Sequence, residues 1–123
     1  MEVTINEKAM QAINSFLERR NFTILEKDWA HGKDAIDFIA VDDENDDLVF
    51  IATRIRTEGV DLPEEDFSRK KLERIAAAYL AANQSLPEGT VRFDIVSMLV
   101  LGSHKALIRH HRSALSNSST TEV

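Results

Sequence analysis

Helically spaced apolar residues predict two helices in this chain. The first covers residues 7–20, where Thr4 or Asn6 can cap the start and Asn21 can end the helix in a left-handed conformation. The second covers residues 64–83. The apolar stripes are Ala9, Ile13, Phe16 and Leu17 in the first helix, and Phe67, Leu72, Ile75, Ala76, Tyr79 and Leu80 in the second.

Five apolar runs predict β-strands. They are "FTILEKDW" at residues 22–29, "AIDFIAV" at 35–41, "LVFIATRIR" at 48–56, "VRFDIVSMLVL" at 91–101 and "KALIRHH" at 105–111. A turn around Gly32 follows the first run, and the acidic segment "DDENDD" joins the second and third runs. Two strands with a short polar connection between them predict a hairpin.

The resulting element order is α-β-β-β-α-β-β, which predicts an α/β domain with a mixed β-sheet flanked by helices. The helix at 64–83 is long enough to cross over the sheet, so we expect it to lay the third and fourth strands parallel. We predict one domain over residues 1–115, followed by a polar, disordered tail at 116–123.

The composition is that of an ordinary globular domain and excludes several kinds of site. The 123 residues include no cysteine, so neither a disulfide framework nor a thiolate metal site is present. No apolar run approaches the length of a membrane span, and the first residues do not resemble a signal peptide, so we expect a cytoplasmic protein without a membrane partner. The sequence also lacks a glycine-rich phosphate loop.

Charge is distributed unevenly along the chain. Residues 1–68 carry 17 acidic and 7 basic side chains, whereas residues 69–123 carry 4 acidic and 8 basic ones. The net charge of −6 disfavours a general nucleic-acid binder. The basic second half can form a local positive patch, but on charge alone we prefer the interpretation of two solvated faces of opposite bias.

Asp37, Ala52 and Arg54 occupy positions at which a metal-dependent nuclease builds its site. Asp37 lies on one strand of the hairpin, while Ala52 and Arg54 are two residues apart on the next strand and share a face. Nucleases of this kind have Glu-x-Lys at that pair, and their carboxylates hold Mg²⁺ while the lysine orients the attacking water. Arginine binds phosphate well, but its pKa is too high for it to act as a base.

Six segments, in order, resemble the YraN family of predicted endonucleases, a branch of the restriction-endonuclease-like PD-(D/E)XK superfamily. Within residues 7–115 they are "FLERRNFTILEKDW", "AIDFIA", "LVFIATRIR", "RKKLERIAAAYL", "RFDIV" and "IRHHRSAL". The resemblance implies a restriction-endonuclease-like fold and Mg²⁺-dependent hydrolysis of DNA phosphodiesters, and it places Lys71 at the family's lysine position. The resemblance further implies that the family's other carboxylates fall at Ala35, at Ala52 and near Met10, so the motif is degraded and only Asp37 is left as a metal ligand.

The charged residues around this motif have more than one interpretation. Asp37 is either a surviving metal ligand or a buried acid paired with Arg54 across the hairpin, and the cost of an unpaired buried carboxylate favours the pair. Arg54 and Arg56 alternate onto one face and are predicted to bind phosphate. The basic residues of the second helix either contact backbone phosphates or form an exposed face, and they are Arg69, Lys70, Lys71 and Arg74.

Other polar clusters match no known metal site. The spacing of three histidines fits no zinc site, and we interpret them as surface residues: His104, His110 and His111. The "DDENDD" segment lacks the glycine and the distal glutamate of a calcium loop. A carboxylate from elsewhere in the chain would rebuild the metal site. The candidates are Asp34, Glu58 and Glu65, whose positions relative to Asp37 the sequence does not specify.

We therefore predict a nuclease-fold domain that has lost catalysis, needs no cofactor and binds nucleic acid, DNA rather than RNA. The predicted contact residues are Arg54, Arg56, Lys70, Lys71 and Arg74. One alternative is an active Mg²⁺-dependent endonuclease with an atypical site around Asp37. Another is a structural or protein-interaction module whose cleft is closed by an Asp37–Arg54 salt bridge. The sequence leaves the oligomeric state open, a homodimer included.

Overall fold

Two helices and five strands make up the described part of the chain, which in this computed structural model comprises residues 4–83 and 89–114. The elements are α1 (Ile5–Arg19), β1 (Phe22–His31), β2 (Asp34–Asp42), β3 (Asp47–Arg56), α2 (Arg69–Ala82), β4 (Val91–Val100) and β5 (Ala106–His111). The predicted order α-β-β-β-α-β-β and the α/β class are confirmed. The predicted tail at 116–123 lies outside the described residues.

The strands form one mixed sheet in the order β1-β2-β3-β4-β5. All neighbours are antiparallel except β3 and β4, which the crossover through α2 makes parallel, as expected. A two-residue turn joins β1 to β2, because His31 pairs with Asp34. Gly32 takes a φ of 60° there, the conformation that favours glycine at the first turn position of a tight hairpin.

The helices cover opposite faces of the sheet. α1 buries Ala9, Ile13 and Leu17 on one face, and α2 buries an apolar stripe on the other. The buried partners of α1 are Phe22, Phe38, Ala40, Val49, Ile51, Val96 and Met98. The second layer contains Leu72, Ile75, Ala76 and Tyr79 of α2 with Ile36, Ile39, Leu48, Phe50, Ala52 and Phe93 of the sheet.

The second helix begins five residues later than the sequence pattern predicts. Its first residue is Arg69, and the hydroxyl of Ser68 caps it by accepting a hydrogen bond from the Lys71 amide at 3.2 Å. The preceding residues are drawn away from helical geometry, because Glu65 binds side chains of β5 and the Asp66 carbonyl accepts from Arg54. Residues 57–68 therefore form a strap that crosses the sheet before α2 begins.

A buried ionic cluster joins the turn end of the β2–β3 hairpin to β4. Arg92 donates to both carboxylate oxygens of Asp94, at 2.9 and 3.0 Å, and to Asp42 and Asp47 at 2.9 and 3.0 Å. Burial opposes ionisation of Asp94, but hydrogen bonds from His110 and Arg92 outweigh it and lower the pKa of this carboxyl. The cluster therefore fixes four strands, β2 to β5, at the end of the sheet opposite Asp37 and Arg54.

One histidine of this cluster was wrongly predicted to lie at the surface. The side chain of His110 is only 2% exposed, and its Nε2 lies 2.8 Å from Asp94 Oδ2. It packs against the rings of Phe16 and Phe22, because alternation along β5 turns it toward the α1 face. His104 and His111 are exposed, as predicted.

Candidate functional site

A cleft opens where β2 and β3 separate. The two strands pair from Asp42↔Asp47 to Phe38↔Ile51, and no further pair of them follows among the described residues. Just beyond that point the carboxylate of Asp37 accepts a hydrogen bond from the backbone amide of Thr53 at 2.8 Å. The side chain thus supplies the acceptor that the β2 backbone no longer provides, and it is fixed at the mouth of the cleft.

The cleft has a volume of about 240 Å³ and is bounded by β2, β3 and the start of α2. Its walls consist of Ala35, Ile36, Asp37, Ala52, Arg54, Phe67, Ser68, Lys71 and Leu72. Five residues that the sequence motifs single out are therefore brought together here: Ala35, Asp37, Ala52, Arg54 and Lys71. The side chains of Ala35 and Ala52 are short, so among these wall residues Asp37 supplies the single carboxylate.

Arg54 is not paired with Asp37, so the predicted salt bridge across the hairpin is wrong. Its Nη1 donates to the Thr53 carbonyl and its Nη2 to the Asp66 carbonyl, each at 2.9 Å. The guanidinium carbon lies 4.1 Å from the centre of the Phe67 ring. Asp37 needs no cationic partner, because it is only partly buried and already holds the Thr53 amide.

The start of α2 adds positive potential to the same cleft. Residues 69–72 read Arg-Lys-Lys-Leu, so no acid occupies the first turn. Exposed N–H groups of a helix start carry partial positive charge, and anions bind there readily. With Lys71 and Arg54 on its walls, the cleft presents two cations and a helix start against one carboxylate, that of Asp37.

Three other basic residues of the predicted contact set lie outside the cleft walls. Arg56 donates to the Asp61 carbonyl at 3.2 Å within the strap. Arg74 forms a two-pronged ion pair with Asp34, with both contacts at 3.0 Å, and its hydrogen bond lowers the pKa of the Asp34 carboxyl. Lys70 is exposed on the first turn of α2. These side chains flank the cleft and do not line it.

None of the three displaced carboxylates considered from the sequence lines the cleft. Asp34 is bound to Arg74, and Glu58 is an exposed residue of the strap. Glu65 contacts Arg109 at 2.8 Å and His111 at 2.6 Å on β5. Burial opposes ionisation of Glu65, but these two partners outweigh it and lower its pKa.

Asp37 also borders a second hollow, of about 260 Å³, on the α1 side of the sheet. Met10 lines this hollow, and its sulfur accepts a hydrogen bond from the Thr53 hydroxyl at 3.6 Å. Asp28 lines it as well, with a φ of 50° on β1. Within residues 4–83 and 89–114 no three acidic or histidine side chains are close enough to hold a metal ion.

Phe67 packs against the apolar layer of α2, as predicted from the stripe of the second helix, but it lies outside that helix. Phe67 precedes α2 and provides the surface on which the Arg54 guanidinium rests. The sequence signal for the true start of α2 is Ser68, because a serine directly ahead of the apolar stripe is a typical helix cap. A helix that starts at Arg69 leaves Phe67 in the strap.

Comparison with known proteins places this site within a family. A model of the uncharacterised protein family UPF0102 matches residues 10–98. The chain belongs to this family. The match confirms the YraN-like membership that the motifs indicate, and it spans every residue of the cleft.

Individual UPF0102 relatives support the assignment. The chain is 36% identical over 88 residues to the UPF0102 protein of Cytophaga hutchinsonii, covering 68% of this chain and 74% of the relative. It is 32% identical over 98 residues to the UPF0102 protein of Nocardia farcinica, covering 77% and 76%. A UPF0102 protein of Chlorobium phaeobacteroides is 34% identical over 92 residues, covering 69% and 68%. The names of these relatives state no activity.

The two described helices do not meet the requirements of a membrane span. Neither α1 nor α2 has the length and the apolar character that crossing a bilayer would require.

Proposed function

We propose that this UPF0102 member is a restriction-endonuclease-like domain that has lost phosphodiester hydrolysis and binds nucleic acid, DNA in particular, through the cleft. One observation carries the proposal. The cleft brings Arg54 and Lys71 together with Asp37, while Ala35 and Ala52 stand at the positions of two missing carboxylates. An oxyanion such as a phosphodiester complements that arrangement better than a metal cation does.

The loss of hydrolysis follows from the chemistry of these side chains. Mg²⁺ is commonly held by one or two carboxylates together with substrate phosphate, and the cleft offers the single carboxylate of Asp37. Arg54 stands where the lysine of a Glu-x-Lys pair would lie, and a guanidinium cannot accept a proton from water. Without a firmly held ion and a base, an attacking hydroxide has no source in the cleft.

Phosphate binding remains within the capacity of Arg54. Its guanidinium has five N–H donors, and the two carbonyl contacts described above engage one terminal nitrogen each. Stacking on Phe67 fixes the plane of the group, so its remaining donors are oriented before a ligand arrives. Lys71 adds a mobile point charge on the adjacent helix turn.

The arrangement of Arg54 also weighs against a purely structural module. Such a module was expected to show a closed cleft filled by an Asp37–Arg54 ion pair. Instead, Asp37 holds the Thr53 amide and Arg54 holds the strap, so a cavity of about 240 Å³ separates the walls.

Fluorescence anisotropy with labelled oligonucleotides at low salt tests the proposal. We expect salt-sensitive binding that the Arg54→Ala/Lys71→Ala variant weakens, with the slope of log K against log salt reduced by about 0.7 to 0.9 for each lost phosphate contact. Lys8→Ala/Lys105→Ala removes two cations that line a groove on the α1 side and is the matched control. Absence of binding at low salt, or equal binding by both double variants, would overturn the proposal.

An active endonuclease is a second candidate, supported by the hollow on the α1 side. Asp28 and Asp37 both line that hollow, so two carboxylates approach one space although neither belongs to a Glu-x-Lys pair. In this case purified protein with Mg²⁺ or Mn²⁺ should cut single-stranded, branched or flapped DNA, and Asp37→Asn should abolish the cutting. Intact substrates after incubation with either metal would exclude it.

A further inference from the structure

A stacked aromatic pair lies next to the cleft, at the tip of the β1–β2 hairpin. The rings of Trp29 and His31 are 6.0 Å apart between centroids and only 8° from parallel. Both residues lie on the α2 face of the sheet, because Trp29 packs against the apolar layer of α2 and residues two apart on a strand share a face. His31 is exposed, so the ring on the outside of the pair is accessible to a ligand.

The hairpin and α2 support this pair from beneath. Trp29 meets the edge of the Tyr79 ring at 5.2 Å, with the two planes 89° apart. The Tyr79 hydroxyl donates to Glu26 at 3.2 Å, which connects α2 to β1. The tight turn at Gly32 sets the end of the hairpin. His31 therefore rests on a fixed base, and a planar ligand could extend the stack without reordering the site.

The pair is one strand away from the cleft wall. Ala30 pairs with Ala35 and Trp29 with Ile36 across the hairpin, and both Ala35 and Ile36 line the cleft. Asp34, which pairs with His31 across the hairpin, is bound to Arg74 and lies within the electrostatic influence of Lys33 and Lys71. The Asp34 carboxylate, at the hairpin tip, is therefore already neutralised by Arg74 and does not leave an unpaired negative charge beside a chain of phosphates that extends from the cleft.

We infer that the Trp29–His31 stack receives an unpaired base of a single-stranded nucleic acid whose phosphates occupy the cleft; the inference rests on the proposed function. Bases of a duplex are stacked on one another and present only their edges in the grooves, so they cannot extend an aromatic stack. Unpaired bases offer their faces, and aromatic side chains including histidine take up such bases in single-strand binding proteins. Single-stranded nucleic acid is therefore the preferred ligand.

The chain provides its own reporter for this contact, because Trp29 is its one tryptophan. Three probes of equal length separate the contribution of base stacking from that of phosphate binding. They are a thymidine oligonucleotide, an abasic deoxyribose-phosphate oligomer and a duplex. We expect the thymidine oligonucleotide to bind most tightly and to quench Trp29 emission. The abasic oligomer should bind through its phosphates without comparable quenching.

Variants of His31 complete the test. His31→Ala should weaken binding of the thymidine oligonucleotide by about fivefold or more, as the loss of one base stack predicts, and should leave the abasic oligomer unaffected. His31→Phe should retain the affinity, and His104→Ala, which removes an exposed histidine near α1, should match the native protein. Circular dichroism verifies that each variant is folded.

Two outcomes would overturn the inference in different ways. If the thymidine and abasic probes bind equally and His31→Ala changes neither, phosphates alone are recognised, so the stacking inference fails while the proposed function stands. If none of the three probes binds at low salt, the proposed function and the inference fail together.

Discussion

The carboxylate of Asp37 and the backbone amide of Thr53 are joined by a 2.8 Å hydrogen bond at the point where β2 and β3 separate. The bond gives Asp37 a role in the fold that requires neither a metal ion nor Arg54. It also holds the one cleft carboxylate against the β3 backbone, facing the two cations of the cleft wall.

Substitutions of Asp37 should therefore separate its hydrogen bond from its charge. Asp37→Asn retains an acceptor for the Thr53 amide, whereas Asp37→Ala leaves that amide without one and should lower the free energy of unfolding by about 1 kcal/mol more. Urea denaturation measures this difference. Both variants remove a negative charge from the cleft and should raise oligonucleotide affinity at low salt. Weaker binding by Asp37→Asn would contradict this account and favour a metal-bridged ligand.

Replacing Arg54 by lysine should loosen the strap of residues 57–68 although the charge is retained. Lysine cannot make the two-pronged contact with the Thr53 and Asp66 carbonyls or lie flat on Phe67. We expect faster amide hydrogen exchange in the strap of Arg54→Lys, with little change in the β-sheet. Arg20→Lys, which alters a guanidinium stacked on Phe16 of α1, is the matched control. Unchanged exchange would mean that the other contacts of the strap, including those of Glu65 and Arg56, hold it without Arg54.

Stability should fall in acid because of the Arg92 cluster. Burial opposes the ionisation of Asp42 and of Asp94, but their hydrogen bonds, led by Arg92 for Asp42 and His110 for Asp94, lower both pKa values below the ordinary 3.8. A lowered folded-state pKa contributes stability that is present above the ordinary value and is lost as the pH falls through the folded value. The melting temperature should therefore drop below about pH 4.

A pH series of thermal melts tests the cluster directly. Asp94→Asn should melt lower than the native protein at pH 7 and should show a smaller further loss between pH 5 and pH 3, because its contribution has already been removed. Asp61→Asn, which removes an exposed carboxylate of the strap, should follow the native profile. Parallel profiles for native protein and Asp94→Asn would show that other groups govern the acid transition.

The apolar pattern predicts the element order, the hairpin and the parallel pair, because burial on a sheet face imposes a period that single residues rarely disturb. The start of α2 is different, since it depends on the competition between the Ser68 cap and the tertiary contacts of Glu65 and Asp66. The spacing of the motif residues also predicts correctly that Asp37 and Arg54 lie close to one another, since both line the cleft. Their hydrogen-bond partners depend on how far β2 and β3 separate, which no residue pattern specifies.

Introducing a Glu-x-Lys pair at residues 52 and 54 gives the sharpest test of how the cleft relates to a nuclease site. Ala52 is 5% exposed and lines the cleft with Asp37, so a glutamate there should bring a second carboxylate to the same space. We expect Ala52→Glu/Arg54→Lys to bind Mn²⁺ in isothermal titration calorimetry, because two carboxylates and water satisfy the ligand preference of such cations. With the native protein we expect no heat of binding.

A second double variant controls for the folding cost of the added glutamate. Ala52→Gln/Arg54→Lys has nearly the same volume and hydrogen-bonding capacity but lacks the added charge, so it should be similarly destabilised and should not bind the ion. Metal binding by the glutamine variant, or by the native protein, would place the ligands elsewhere and would direct attention to Asp28 and the hollow beside Met10. Absence of binding by the glutamate variant would show that the cleft geometry, and not only its composition, differs from a nuclease site.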